Sequence, residues 1–325
     1  MLKKFVLGVF LCLFTFLSFN QGLALDKRAS SELSHYIMGA MYDRLGKINL
    51  AIEEYKKALK VNYNNPQAHL NLATSYIKNN EIDKAIEELG IVINFEPDTV
   101  EPHAILGLLY SLQNKPEAAN HEYEIALQNA SKLEPKNTEI YKSLGAVYLK
   151  QNKFQEAENI YRLILNLSCK DDQAHFYLGT IYRQQKKNAL AEKELKEAIK
   201  NNPDYPEALN YLGYIYAEEN RNLDQAEILI KKALEIEPDN GAYIDSLGWL
   251  YFKKGKTQEA LRELLRASKL IEDPVVYDHL GDVYFNLRNN IESKLNWQKS
   301  LELDPAQNKV KQKIEKLNNI KNALR

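Results

Sequence analysis

Cysteine is nearly absent, with two in 325 residues, Cys12 and Cys169. Cys12 follows Val9-Phe10-Leu11 rather than small residues and carries no lipidation signature. Cys169 has Lys170 beside it but Asp171 and Asp172 after it. That is a poor setting for a thiolate nucleophile, and it reads as structural. Thirteen glycines and ten prolines are few, and no Ser/Gly-rich linker or low-complexity run interrupts the chain. There is no Gly-rich phosphate loop, no H-E-x-x-H, no C-x-x-C and no G-x-S-x-G. Strand-like alternation is missing too, and the many Glu-Glu and Asp-Asp pairs fall on polar helix faces. These absences predict a chain that is not an enzyme and holds no cofactor or metal.

Only one long apolar run exists, the 15 residues from Phe5 to Phe19. It follows Met1-Leu-Lys3-Lys4 and precedes Asn20-Gln-Gly22-Leu-Ala24, the three parts of a secretory signal peptide, so residues 1–24 are expected to be removed and the mature chain to start at Leu25. The expected address is periplasmic or extracellular. The alternative is an uncleaved inner-membrane anchor, although a spanning helix needs about 20 apolar residues. Cleavage takes away Lys3 and Lys4, lowering Lys+Arg from 43 to 41 against 44 Asp+Glu, a net charge of −3. A nucleic-acid reader needs a basic track, so nucleic acid is excluded as a partner.

What is present is repetition. In Gly241 to Asp273, Leu247, Gly248 and Tyr251 share one helix, Lys254-Gly255-Lys256 breaks it, and Ala260, Leu264 and Ala267 line a second. Such a hairpin cannot bury both apolar faces alone. A small residue followed three positions later by Tyr recurs at Gly39/Tyr42, Ala73/Tyr76, Gly107/Tyr110, Gly145/Tyr148, Gly179/Tyr182, Gly213/Tyr216, Gly248/Tyr251 and Gly281/Tyr284, at spacings of 34, 34, 38, 34, 34, 35 and 33 residues. The small residue is expected to let a helix approach the preceding hairpin closely.

This period, with Pro97, Pro203, Pro238 and Pro305 closing repeats, resembles the tetratricopeptide repeat family. The resemblance implies an all-α, right-handed superhelical α-solenoid whose concave groove binds a segment of another protein. The expected organisation is a lead-in at 25–31, then eight repeats (32–65, 66–99, 100–137, 138–171, 172–205, 206–240, 241–273 and 274–307), then a capping helix at 308–325. Ser30 or Ser31 is available to cap the first helix. The four extra residues of the third repeat predict a second helix about one turn longer, and the single extra residue of the sixth is expected in the turn Asn220 to Asp224. Val310, Ile314, Leu317 and Leu324 form the stripe of the cap, whose six Lys/Arg and one Glu leave a membrane or partner contact as the alternative role. Ser293 and Ser300, in place of two alanines, suggest a layer near the end of the stack.

Family members that clamp a C-terminal carboxylate carry Asn immediately after the small residue, where this chain has Ala40, Thr74, Leu108, Ala146, Thr180, Tyr214, Trp249 and Asp282. Members with an asparagine ladder carry it two residues before, matched here by Asn71 alone. The stretch Tyr243 to Tyr251 followed by His279 to Tyr284 looks like the last repeat pair of exported bacterial members, some of them lipoprotein adaptors for envelope proteases; this chain lacks their lipobox cysteine.

His35, His69, His103 and His175 each lie four residues before the small residue. Equivalent positions in successive layers are roughly 10 Å apart, while zinc needs each ligand nitrogen within about 2.1 Å. Interlayer packing is therefore the expected role. For the partner site, the side of the first helix that the family turns into its groove carries Phe176 and Arg183, then Asn210 and Tyr214, then Asp245, Trp249 and Phe252, then Asp278, Asp282 and Phe285. Aromatic anchors among acids suit a protein or peptide segment with bulky apolar residues and Lys or Arg. The alternative is that these aromatics pack against neighbouring helices. Trp297, in register with Tyr55, Tyr123 and Tyr161, is expected to be buried, and Trp249 to contribute little to stability.

Overall fold

The computed structural model describes residues 27–323; the signal-peptide segment, Cys12, the proposed start at Leu25 and Leu324 of the cap lie outside them. Among the described residues are seventeen α-helices and no strand. Their contacts form two units, one ending at Ile160 and the other starting at Tyr161. The first holds α1 (27–44), α2 (Ile48–Val61), α3 (Pro66–Lys78), α4 (Ile82–Phe95), α5 (Val100–Leu112), α6 (Pro116–Leu133), α7 (Thr138–Lys150) and the start of α8 (Phe154–Leu167). The second holds the end of α8, then α9 (Asp172–Gln184), α10 (Asn188–Asn201), α11 (Pro206–Glu218), α12 (Leu223–Ile236), α13 (Gly241–Lys253), α14 (Thr257–Leu270), α15 (Pro274–Asn286), α16 (Asn290–Leu303) and α17 (Asn308–Ala323). Within each unit, helices pack on their neighbours in chain order, as in an α-solenoid.

One device closes every hairpin. Gly46, Asn80, Asn114, Asn152, Lys186, Asn220, Gly255 and Arg288 adopt positive φ between 51° and 74°. The next residue then donates its backbone N–H to the carbonyl of the recurrent Tyr, as Lys47 does to Tyr42 at 2.9 Å and Lys187 to Tyr182 at 2.8 Å. This is the Schellman closure, which Gly and Asn favour because left-handed backbone costs them least. In the sixth repeat a second left-handed residue, Asn222 at φ 50°, absorbs the extra residue before α12. The extra residues of the third repeat extend α6 to 18 residues, against 14 in α4 and α10.

At Gly39, Gly107, Gly179, Gly213, Gly248 and Gly281 the small residue works within its own hairpin, a correction to the expectation of contact with the preceding one. A Cβ on Gly39 would meet the Tyr55 ring at 2.8 Å, one on Gly179 would meet Leu195 at 2.8 Å, and one on Gly248 would meet Leu264 at 2.7 Å. At Gly281 the indole of Trp297 fills the same space. Each gap is thus matched to a large side chain of the second helix, and the two helices close at interior packing density. Ser30 and Ser31 lie inside α1 rather than at its cap. Ser293 and Ser300 are fully buried, their hydroxyls donating to Gly281 O at 2.9 Å and Pro274 O at 2.7 Å.

The four histidines also act inside their hairpins. His35, His69, His103 and His175 each set Nδ1 against the carboxylate nineteen residues later, Glu54, Glu88, Glu122 and Glu194, at 2.5 to 2.7 Å. In three of them Nε2 faces the carbonyl six residues earlier, that of Tyr63, Pro97 or Cys169. Where the fourth repeat has Tyr141 instead, its hydroxyl donates to Pro135 O at 3.2 Å, and Ile160 replaces the glutamate. The contact is thus within a hairpin rather than between layers: all four imidazoles join the first helix to the second, and those of His69, His103 and His175 also reach the loop that precedes the first.

Candidate functional site

All ten proposed partner-binding residues lie on the first helices α9, α11, α13 and α15, within the second unit. Asp245, Trp249 and Phe252 on α13, and Asp278, Asp282 and Phe285 on α15, repeat one spacing of i, i+4 and i+7, which aligns them on one helix face.

At the middle of this face the aromatics are packed, not free. Trp249 is 8% exposed, and its ring lies 4.0 Å from that of His279 at 12°, with Phe252 stacked 5.2 Å away. Lys253 Nζ sits 4.5 Å from the indole centroid. His279 Nδ1 is 2.9 Å from Asp245 Oδ1, and both residues are buried. Trp249 is therefore part of the core between successive repeats, contrary to the expectation that it contributes little to stability. The cause is His279, which the next repeat presents as a flat partner for the indole. Trp249 Nε1 is buried without a hydrogen-bond partner among the described residues.

Two cavities adjoin the stack. One, of about 550 Å³, is lined by Phe252, Asp282, Phe285, Asn286, Arg288, Asn290 and Leu317. Phe285 is 42% exposed and leans on Trp297, which is buried as expected. Asp282 accepts from Trp297 Nε1 at 3.1 Å and pairs with Lys313 of α17 at 2.8 Å, and Lys313 also reaches Asp278 at 2.6 Å. Burial pushes the Asp282 carboxyl up, even with Lys313 opposing the shift. The other cavity, of about 270 Å³, includes Asn210, Tyr211, Tyr214, Asp245, Ser246 and Val276 in its lining. Burial raises the Tyr214 phenol, and Asn210 Oδ1 has no partner among the described residues.

The structure thus gathers Phe252, Asp282 and Phe285 around one cavity and Asn210, Tyr214 and Asp245 around the other. Phe176 and Arg183 line neither. Phe176 packs against Tyr205 and Tyr211 at 5.2 and 6.3 Å, and Arg183 is held by Glu218 and Glu219 at 2.6 Å each. His279, Arg288, Leu317 and Lys313 belong to the site and were not anticipated. His279 lies 34 residues after Asp245, one position past Asp278, the repeat equivalent of Asp245.

The Tetratricopeptide repeat family model matches residues 106–174 and 176–241, and a second model, described as TPR repeat, matches 39–80, so that together they span more than half of the chain. The chain belongs to the tetratricopeptide repeat family. The solved structure of a tetratricopeptide repeat protein from Parabacteroides merdae is similar at a TM-score of 0.60 and 18% identity, over 78% of this chain and 98% of that one. A chain of the APC/C hetero-tetramer Cut9-Hcn1 matches at a TM-score of 0.58 and 16% identity, over 86% of this chain and 54% of that one. At these identities the likeness shows the fold. No curated protein matches the sequence. A tetratricopeptide solenoid is in general a protein-interaction scaffold, and members of the family are generally non-catalytic. Among the described residues, no three His, Cys, Asp or Glu side chains are grouped to hold a metal ion.

Proposed function

We propose that this tetratricopeptide repeat protein is a non-enzymatic scaffold or adaptor of the cell envelope, exported by its N-terminal signal, which binds a protein segment along the face of α9, α11, α13 and α15. The observation that carries the reading is the 550 Å³ cavity, where half-exposed Phe285 and Phe252 flank Asp282. It is large enough for a bulky apolar side chain, and a concave apolar pocket with a few polar groups is the usual form of a binding site. Lys313, already on Asp278 and Asp282, shows the geometry a cation takes there, so a partner Lys or Arg beside the apolar anchor would compete with it. The two cavities about the packed stack take anchors, while Trp249 supports the walls.

Site-specific photo-crosslinking in the native host tests this. A photoreactive residue at Phe285 or Phe252 is expected to capture a discrete partner, and one at Leu295, exposed on α16, is not. Equal capture at Leu295, or none at Phe285, would overturn the groove assignment. Intact mass of the native protein is expected to correspond to a start at or near Leu25. A start at Met1 recovered with membranes would favour the second reading, an envelope-assembly factor anchored by residues 5–19.

A further inference from the structure

In every later repeat the position two residues after the small one is buried. Ser75, Leu109, Ile181 and Ile215 are at most 2% exposed, and Leu250 is fully buried among Leu212, Ile215 and Tyr216. The equivalent residue of the first repeat, Met41, is 44% exposed. It belongs to a stripe on α1 and its turn, Leu33, Ile37, Met41 and Leu45, at 57, 55, 44 and 60% exposure. Four large apolar side chains at i, i+4, i+8 and i+12 form one continuous ridge.

The exposed charges of α1 and its turn that are not drawn into pairs are of one sign. Lys27, Arg44 and Lys47 are exposed. The two acidic residues of α1 point away, Glu32 accepting from Asn62 and Asn65 at 3.0 and 2.8 Å and Asp43 pairing with Lys78 at 2.6 Å. A second copy of the same surface would bring like charges together. Four half-exposed side chains supply on the order of 300 Å² per copy, about 600 Å² for a symmetric pair, roughly half of what a small specific interface buries. Position in the chain adds a third argument. Seven residues, 20–26, separate the apolar run Phe5 to Phe19 from Lys27, a tether of at most about 28 Å, so a membrane holding that run would hold α1 at its surface.

We propose that α1 is a membrane-surface helix that lays Leu33, Ile37, Met41 and Leu45 into the interface of an anionic bilayer, with Lys27, Arg44 and Lys47 on the lipid headgroups. An apolar ridge bordered by basic residues is the pattern of interfacial helices, which lie on a bilayer without spanning it. No described helix is long and apolar enough to span one. The proposal is independent of the groove reading and holds with or without residues 1–24, since the contact is made by α1 itself.

The test uses the full chain with Cys12→Ser, Cys169→Ser and Ile37→Cys, labelled at position 37 with a polarity-sensitive fluorophore, and vesicles of phosphatidylglycerol and phosphatidylethanolamine. A blue shift on adding vesicles, quenched by spin-labelled lipid, is expected, while a label on native Cys169 should not respond. Lys27→Glu, Arg44→Glu and Lys47→Glu together are expected to weaken the response about tenfold or more. Three results would overturn the proposal. Cosedimentation with vesicles without a shift at position 37 would mean that α1 does not touch lipid. A shift already present without vesicles at every protein concentration would mean that the chain's own N-terminal segment covers the ridge. A shift that grows with protein concentration in the absence of lipid would mean that a second copy covers it.

Discussion

The two tryptophans show how little a residue's position within one repeat says about its burial. Trp297 fills the space left by Gly281 in its own hairpin, whereas Trp249 is covered by His279 of the next repeat. Both are under a tenth exposed. Trp249→Ala and Trp297→Ala are therefore each expected to cost about 3 to 5 kcal/mol, the range for truncating a large core aromatic. Chemical denaturation of the two variants measures this. A cost under about 1 kcal/mol for Trp249→Ala would contradict its place in the core. Register showed that Trp297 faces inward. It did not show the fate of Trp249, because the partner that buries it lies 30 residues further on and depends on how α13 and α15 are packed.

At the scale of the element, the His175 tie gives its hairpin a pH dependence. His175 Nδ1 faces Glu194 at 2.7 Å and Nε2 faces Cys169 O, so both ring nitrogens meet acceptors and the imidazolium satisfies both. The hydrogen bond to Glu194 raises the His175 pKa above its ordinary 6.5; burial opposes the shift, and the Cys169 carbonyl adds to it. A raised folded-state pKa means that the tie contributes fully below the unfolded value and is lost as pH rises through the folded one. Glu194→Gln is expected to return the His175 titration, followed by NMR of its ring protons, toward 6.5 and to cost about 1 to 2 kcal/mol at acidic pH. The cost should fade at alkaline pH. A destabilisation that is equal at both ends of the range would mean that the pair is not an ionic tie. The spacing of nineteen residues between His and Glu was present in four repeats of the sequence, yet it becomes meaningful only when the hairpin sets the two helices side by side.

For the whole molecule, stability is a sum of like layers, and the last layer is closed by α17. Trp297, Val310 and Leu317 share one cluster there, and Lys313 ties α17 to Asp278 and Asp282 of α15. Deleting residues from Asn308 onward is expected to remove amide-exchange protection from α15 and α16 and lower the melting temperature, leaving α2 to α5 protected. Loss of protection throughout the chain would contradict nearest-neighbour stacking. The same deletion removes Leu317 from the 550 Å³ cavity, so it should also weaken capture at Phe285.

By itself the sequence determined the helix hairpin, its period and the family, because these depend on residues within one turn or one hairpin of each other. Most of the turns were legible for the same reason: Gly or Asn takes the positive φ in six of the eight hairpins, and Lys186 and Arg288 take it in the other two. Only the tertiary structure decided which aromatics of the α13 and α15 face are walls and which remain open, and that Lys313 already occupies the acidic pair. It also decided that the ridge on α1 stays uncovered among the described residues. Those outcomes rest on contacts between hairpins, where packing several helices together, and not the periodicity of any one of them, sets what a side chain meets.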